Sequence, residues 1–353
     1  MQSIRKRICS FANLYEATQI CRRNVKWKDS VAHFSNHSLV SVYRLKKRLD
    51  TDNYELAPYS IFEIREPKLR KITSTRFKDR VFQRTMCDNY LTKEITKNFI
   101  DNNFACQEGK GTDRARECLT RNLKTFCREH GTSGYVLKLD IHDYFGQTDH
   151  QVAIQAVNKR IDDPWIQKEV KRIIESFGDG KGIGLGSQVS QLIQLAVLDD
   201  IDHFITEELE IPLYVRYMDD FILIHESKEH LRYCLIQVRK KLRELKLDIS
   251  PKKTQIFKVT QPIKFLGFTF MLHGTGKVTW RLLPKNIKRE KRKITKLAKL
   301  VKAGKISIAK FDECYQCWRA HAKKSDSRYS IRKLDKYQKQ LKEELVSWQE
   351  NKQ

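Results

Sequence analysis

The stretch "VRYMDDFILI", residues 215 to 224, sets the tightest limit on how this chain folds. Val215, Tyr217, Phe221, Ile222, Leu223 and Ile224 are side chains suited to buried strands. Asp219 and Asp220 interrupt them, and two adjacent carboxylates in an apolar run are tolerable only where something positive meets them. A second interrupted run lies upstream. In "GYVLKLDIHDYF", Val136, Leu137, Leu139 and Ile141 make a buried strand broken by Asp140. The segments flanking Asp219 and Asp220 are expected to pair as a hairpin with the aspartates at its tip.

Charge says what such a site would meet. The chain has 353 residues, room for two or three subdomains, and 69 Lys and Arg against 43 Asp and Glu give it a formal charge of +26. An excess that large implies a polyanionic partner, nucleic acid first and an anionic membrane second. The charged start "MQSIRKRICSF" does not resemble a signal peptide, and no apolar run approaches the roughly 20 residues a spanning helix requires, so no membrane partner and a cytoplasmic location are expected. The nine cysteines are spread out; the one close pair, Cys314 and Cys317, lacks a second pair or histidines at zinc spacing. Reduced thiols and a packed helix face beside Trp318 are the reading.

Periodicity divides the chain. Residues 1 to about 60 read as basic helices, "VYRLKKRL" among them. "YSIFEIREPKLRKITS" alternates as two strands joined by a turn around Pro67 and Lys68. "FKDRVFQRTMCDNYLTKEI" is helical, and "DNNFACQEGKGTDRAREC" is a loop entering another helix. The glycine-dense "FGDGKGIGLGSQVSQ" leads into a helix carrying Leu192, Leu195, Leu198, Ile201 and Ile205. A helix over about 228 to 245, the segment "LDISPKKTQIFKV" and a strand pair around "IKFLGFTF" follow. From Lys285 onward, Lys285, Lys288, Arg289, Arg292, Lys296 and Lys299 recur at three- and four-residue intervals, with Ile287, Ile294, Leu297 and Val301 on another side. That is an amphipathic helix with one basic face, followed by a helical tail.

The carboxylates suggest the chemistry. Crowded buried aspartates stay partly protonated unless cations neutralise them. Mg²⁺ suits this task because it takes oxygen ligands and keeps positions open for phosphate oxygens; Mn²⁺ is an alternative. Asp140 facing Asp219 and Asp220 would make a two-metal site for in-line phosphoryl displacement at a hydroxyl nucleophile.

"YMDD" in this setting resembles the catalytic hairpin of reverse transcriptases, and the motifs around it follow that family's order over roughly residues 58 to 275. The resemblance implies an α+β right-hand polymerase with an antiparallel palm sheet and a helical thumb. It implies a basic helical extension over 1–57 and fingers with palm over 58–279. Within that span the fingers take about 58–85 and 146–183, and the palm about 86–145 and 184–279. A basic thumb and tail would take 280–353.

"LKLDIHDYF" resembles the first catalytic motif, with Asp140 and the Ile141 carbonyl as metal ligands beside Asp219 and Asp220, and with Phe145 under the incoming sugar, where it would exclude a 2′-hydroxyl. In "REPKLRKITSTRFKDRVFQRTM", which resembles bacterial retroelement fingers, Lys68 and Arg70 would grip the triphosphate. "SPKKT" supplies Lys253 to protonate departing pyrophosphate, and "FLGFTF" resembles the primer grip, through Phe265, Leu266 and Gly267. Lys285, Lys288, Arg289, Arg292 and Lys296 would track duplex phosphates.

The glycine loop narrows the subfamily. Most reverse transcriptases carry Gln-Gly-x-x-x-Ser-Pro here; this chain has "LGSQVSQ", with Leu185, Gly186, Ser190 and Gln191 at the nucleotide-facing positions. That pattern, with the loop "FACQEGKGTDRA", resembles diversity-generating retroelement enzymes of bacteria and phages. These copy a template RNA with errors opposite adenine and work with a small basic helical accessory protein. Template RNA, primer or cDNA, deoxynucleotides and such an accessory protein are the partners implied. An antiphage defence reverse transcriptase shares the palm and is the alternative enzyme. A non-catalytic RNA-binding scaffold is the alternative of another class.

Overall fold

A computed structural model describes residues 3–65 and 69–351 of the chain. They form two compact units: the described residues up to Ala115 with Leu137–Leu223 and Glu229–Ile256, and Arg116–Val136 with Ile224–Lys228 and the described residues from Phe257 onward.

The first unit opens on four short helices, Ile4–Ile8, Phe11–Cys21, Asp29–Asn36 and Ser38–Asp50. The hydroxyls of Ser3 and Ser10 cap the first two by accepting the N–H groups of Lys6 and Asn13. On the fourth, Val42, Leu45 and Leu49 are buried while Arg44, Lys47 and Arg48 face water, as the spacing of "VYRLKKRL" requires. Strands β1 (Ser60–Arg65) and β2 (Leu69–Ser74) then pair antiparallel, Arg65 opposite Leu69. The turn expected at Pro67 and Lys68 falls outside the described residues. β1 is exposed along its whole length, including Ile61, Phe62 and Ile64.

The sheet that carries the aspartates has the order β4-β5-β3-β6, with β3 at Tyr135–Asp140, β4 at Tyr214–Tyr217, β5 at Asp220–His225 and β6 at Gln255–Lys258. β3 and β5 are the inner strands because their runs are apolar on both faces: Val136, Leu137, Leu139, Phe221, Ile222, Leu223 and Ile224 are all buried. The helix read after the glycine loop is three segments, Gln188–Val197, Asp199–His203 and a π-helical turn at Phe204–Glu208. It begins at Gln188, ahead of the apolar run, because Ser187 provides an N-cap.

In the second unit β7 (Ile263–Phe265), β8 (Phe268–Leu272) and β9 (Val278–Leu282) form a three-stranded antiparallel sheet. The sequence reading stopped at two strands. β9 carries its own strand signal, Val278, Trp280 and Leu282 alternating with Thr279 and Arg281. Helices Pro284–Lys302, Ile308–Ala322 and Arg328–Glu350 enclose a core of Ile294, Val301, Phe311, Tyr315, Leu334 and Leu345. Cys314 is half-buried but Cys317 is exposed, so Tyr315 and Trp318, stacked at 5.7 Å, carry the packing there and the paired cysteines do not. All nine cysteines are free thiols. No described helix is long and apolar enough to cross a membrane.

Candidate active site

Two strand ends in the first unit supply the carboxylates. β4 and β5 are joined by the two-residue turn Met218–Asp219, and Tyr217 stands opposite Asp220, the first residue of β5. Met218 holds φ at 54°, a left-handed conformation rarely adopted by a side chain of its size. The Ile141 N–H donates to the Asp219 carbonyl at 3.3 Å, which binds the end of β3 to the turn. The segment after the 228–244 helix is tied to the same strand end: Ser250 N–H donates to the Asp140 carbonyl at 2.7 Å and His142 N–H to that of Asp248 at 2.9 Å. This placement brings the Lys253 ammonium onto Asp140 Oδ1. On the other side, Lys138 Nζ lies 2.7 Å from Asp220 Oδ1 and 3.0 Å from Oδ2.

These carboxyls are electrostatically loaded. Burial, then the charge of Asp140, pushes the Asp219 carboxyl up from its ordinary range, while Lys253 and Arg70 oppose the shift. Burial pushes Asp220 up to about 6 against the pull of Lys138, with Asp219 and Asp140 adding to the rise. Negative charge here exceeds what the two lysines neutralise. Among the described residues no group of three or more His, Cys, Asp or Glu side chains is gathered as a metal cluster. The donor set nevertheless fits a hard divalent cation, being carboxylate oxygens alone, Asp140 buried and Asp219 and Asp220 half-buried, and mutually repelling. Asp140, Asp219 and Asp220 are the residues that would hold it.

Other residues singled out from the sequence sit as follows. Arg70 is exposed on β2 and close enough to Asp219 to act on its charge; Lys68 lies outside the described residues. Phe145 is half-buried in the short helix Tyr144–Gln147, and its carbonyl accepts the Ile183 N–H at 2.8 Å. The Leu185 carbonyl accepts the Thr73 N–H at 3.0 Å, fastening the glycine loop to β2. At Gly186 φ is 136° and a Cβ would stand 3.0 Å from the Thr73 carbonyl oxygen, so only glycine fits. Gln191 is half-buried and accepts from the Cys106 thiol at 3.4 Å. Ser190 is wholly enclosed, its hydroxyl unpartnered, and offers no surface to a nucleotide.

In the second unit Phe265 is a core residue, and Leu266 and Gly267 form the two-residue turn between β7 and β8. Lys285, Lys288, Arg289, Arg292 and Lys296 are all exposed on their helix.

Two groups went unread in the sequence. Lys138 shares a strand face with Asp140, two residues away, and Arg216 is completely buried against Asp202. The signal was present: a Lys or Arg inside an apolar strand demands a buried acid.

The mixed helix-and-strand fold thus delivers carboxylates to one end of a sheet, with cations beside them. The sequence profile described as reverse transcriptase (RNA-dependent DNA polymerase) matches residues 64–270, and the chain belongs to that family. No curated protein matches it. Among solved structures, the telomerase of Candida albicans in complex with a TWJ fragment of telomeric RNA is similar at 12% identity and a TM-score of 0.51, over 69% of this chain and 48% of that one. An apo telomerase of Candida tropicalis, truncated of its C-terminal domain, gives 13% identity and 0.48, over 69% and 60%. The chain thus spans about half the length of the Candida albicans protein, and at this identity the likeness concerns the fold alone.

Proposed function

We propose that this chain copies a template RNA into DNA, and that it does so as a diversity-generating retroelement enzyme, with frequent errors opposite adenine. The observation that carries the polymerase reading is the convergence of Asp140 with the Met218–Asp219 turn, flanked by Lys253 and Lys138. Two Mg²⁺ ions, when bound by Asp140, Asp219, Asp220 and the Ile141 carbonyl, would supply charge neutralisation and hydroxyl activation for nucleotidyl transfer.

The chain's own residues do the rest. Lys253, an ammonium beside Asp140, is positioned to hand a proton to departing pyrophosphate. Arg70 offers its fork to the triphosphate, with Lys68 as a point charge. Phe145 would bar a 2′-hydroxyl, and Gly186 lets the loop backbone approach β2 closely. Leu185 offers the nascent pair no amide, unlike the glutamine usual in the family, and looser base selection follows. In this reading the fingers would take about 58–85 and 146–183, the palm about 86–145 and 184–279 and the thumb 280–353; the Phe265–Gly267 turn would hold a primer end and the exposed Lys/Arg face would follow phosphates. A small basic helical accessory protein completes the assembly in this reading.

The test is dNTP incorporation on a primed RNA template, with product sequencing, for the wild type and Leu185→Gln. Misincorporation concentrated opposite adenine, falling about tenfold in the variant, is the expected result. An unchanged error spectrum contradicts the role of the loop, and accurate or untemplated cDNA would instead fit a defence enzyme.

A further inference from the structure

We infer that the buried Arg216–Asp202 pair is a positioning device for the catalytic turn, an inference that rests on the nucleotidyl-transfer reading above. Arg216 and Asp202 are both completely buried. Arg216 Nε donates to Asp202 Oδ1 at 2.6 Å and Nη2 donates to Oδ2, a two-pronged contact; the Tyr214 hydroxyl donates to Oδ1 at 2.6 Å. The remaining nitrogen, Nη1, donates to the Met218 carbonyl at 3.0 Å. The main chain of Arg216 is fixed as well, its N–H donating to the Asn102 carbonyl at 2.9 Å and its own carbonyl accepting from Phe104 at 3.1 Å.

Asp219 therefore sits between two pinned peptide groups. The carbonyl before it is held by Arg216, and its own carbonyl is held by the Ile141 N–H. Those two constraints fix the peptide planes on either side of its Cα, and with them the direction in which its carboxylate leaves the backbone. Met218 keeps a left-handed φ of 54°, so the turn has reason to relax if either constraint is lost. An apolar pair of similar volume would serve stability as well as a buried ion pair does. What an apolar pair could not do is donate to the Met218 carbonyl from a fixed fork.

The experiment uses the full chain. Arg216→Ala strands a buried Asp202 and loses so much stability that a fall in kcat would say nothing of the turn, so the test is the neutral double variant Asp202→Asn with Arg216→Gln. It leaves no charge unpaired, and the introduced glutamine side chain would be too short to reach Met218 while bonded to position 202. Tyr214→Phe is the control, because it removes one hydrogen bond from Asp202 and leaves the Met218 contact. For the double variant we expect kcat for dNTP incorporation to fall about a hundredfold with the dNTP KM within twofold, and faster amide exchange over residues 217–220. Tyr214→Phe should keep kcat within threefold and leave that exchange unchanged. A double variant that folds with wild-type kcat and wild-type exchange overturns the inference. Equal kcat losses in the double variant and Tyr214→Phe would also overturn it, by showing a merely structural role. If the wild type incorporates no nucleotide the proposed function fails, and the exchange measurement still decides whether Arg216 holds the turn.

Discussion

The hairpins β4–β5 and β7–β8 each reverse the chain in two residues, and they are held in different ways. In the second, both turn residues are left-handed, Leu266 at φ 43° and Gly267 at 87°, the pattern of a type I′ turn that matches strand twist. Asn286 donates an amide N–H to the Gly267 carbonyl at 2.9 Å and the Leu283 N–H donates to it at 3.5 Å, which ties the turn to the start of the Pro284–Lys302 helix. In the first hairpin only Met218 is left-handed, at a position where glycine is usual, and no glycine is present. Its carbonyl is held by a buried guanidinium that also serves an aspartate and, through it, a tyrosine. The β7–β8 hairpin is built from its turn residues and hydrogen bonds to the Gly267 carbonyl. Both hairpins hold a bulky side chain at left-handed φ, and the one that carries the aspartates is fixed from the inside.

The comparison breaks most visibly at Arg216. Arg216→Ala leaves Asp202 charged, buried and unpaired, and should cost about 3–5 kcal/mol in chemical denaturation; a loss below about 1 kcal/mol would mean the pair does not support the turn. Asn286→Ala removes one neutral hydrogen bond from the other hairpin and should cost about 1 kcal/mol, measured the same way. A loss equal to that of Arg216→Ala would erase the distinction between the two turns. Smallest is Leu266→Asn, which puts a residue tolerant of left-handed φ where leucine is strained. After the lost burial it should stabilise by about 0.5 kcal/mol. Destabilisation by more than about 1 kcal/mol would show that the Leu266 side chain holds the hairpin by packing.

The first hairpin was legible in the sequence because apolar strands interrupted by paired aspartates have few alternatives. Val215, Phe221 and Ile222 are buried as their types demand, and the tip lies between Tyr217 and Asp220. Its support was not legible. Arg216 and Asp202 are 14 residues apart on different elements, and nothing local says which of the acids in "LDDIDHF" meets which cation. Lys138 was hidden for a related reason: within "VLKLD" it reads as a solvated strand residue until β5 is placed beside β3. Ser190 went the other way. Its motif position suggested a nucleotide contact, but the face of its helix is set by apolar spacing, and Val189, Leu192 and Ile193 carry it inward. β9 was legible but went unread: Val278, Trp280 and Leu282 alternate with Thr279 and Arg281 before any pairing with β8 is known.

The central claim is that Asp140, Asp219 and Asp220 form the reaction centre of an RNA-copying polymerase. The direct test is divalent-cation-dependent dNTP incorporation on a primed RNA template, comparing the wild type with a folded Asp219→Ala variant. Removing this carboxylate should take away several kcal/mol of transition-state stabilisation, a loss of about a thousandfold or more, while RNA binding through the basic surface stays near wild type. Incorporation by Asp219→Ala at a rate close to wild type would contradict the account.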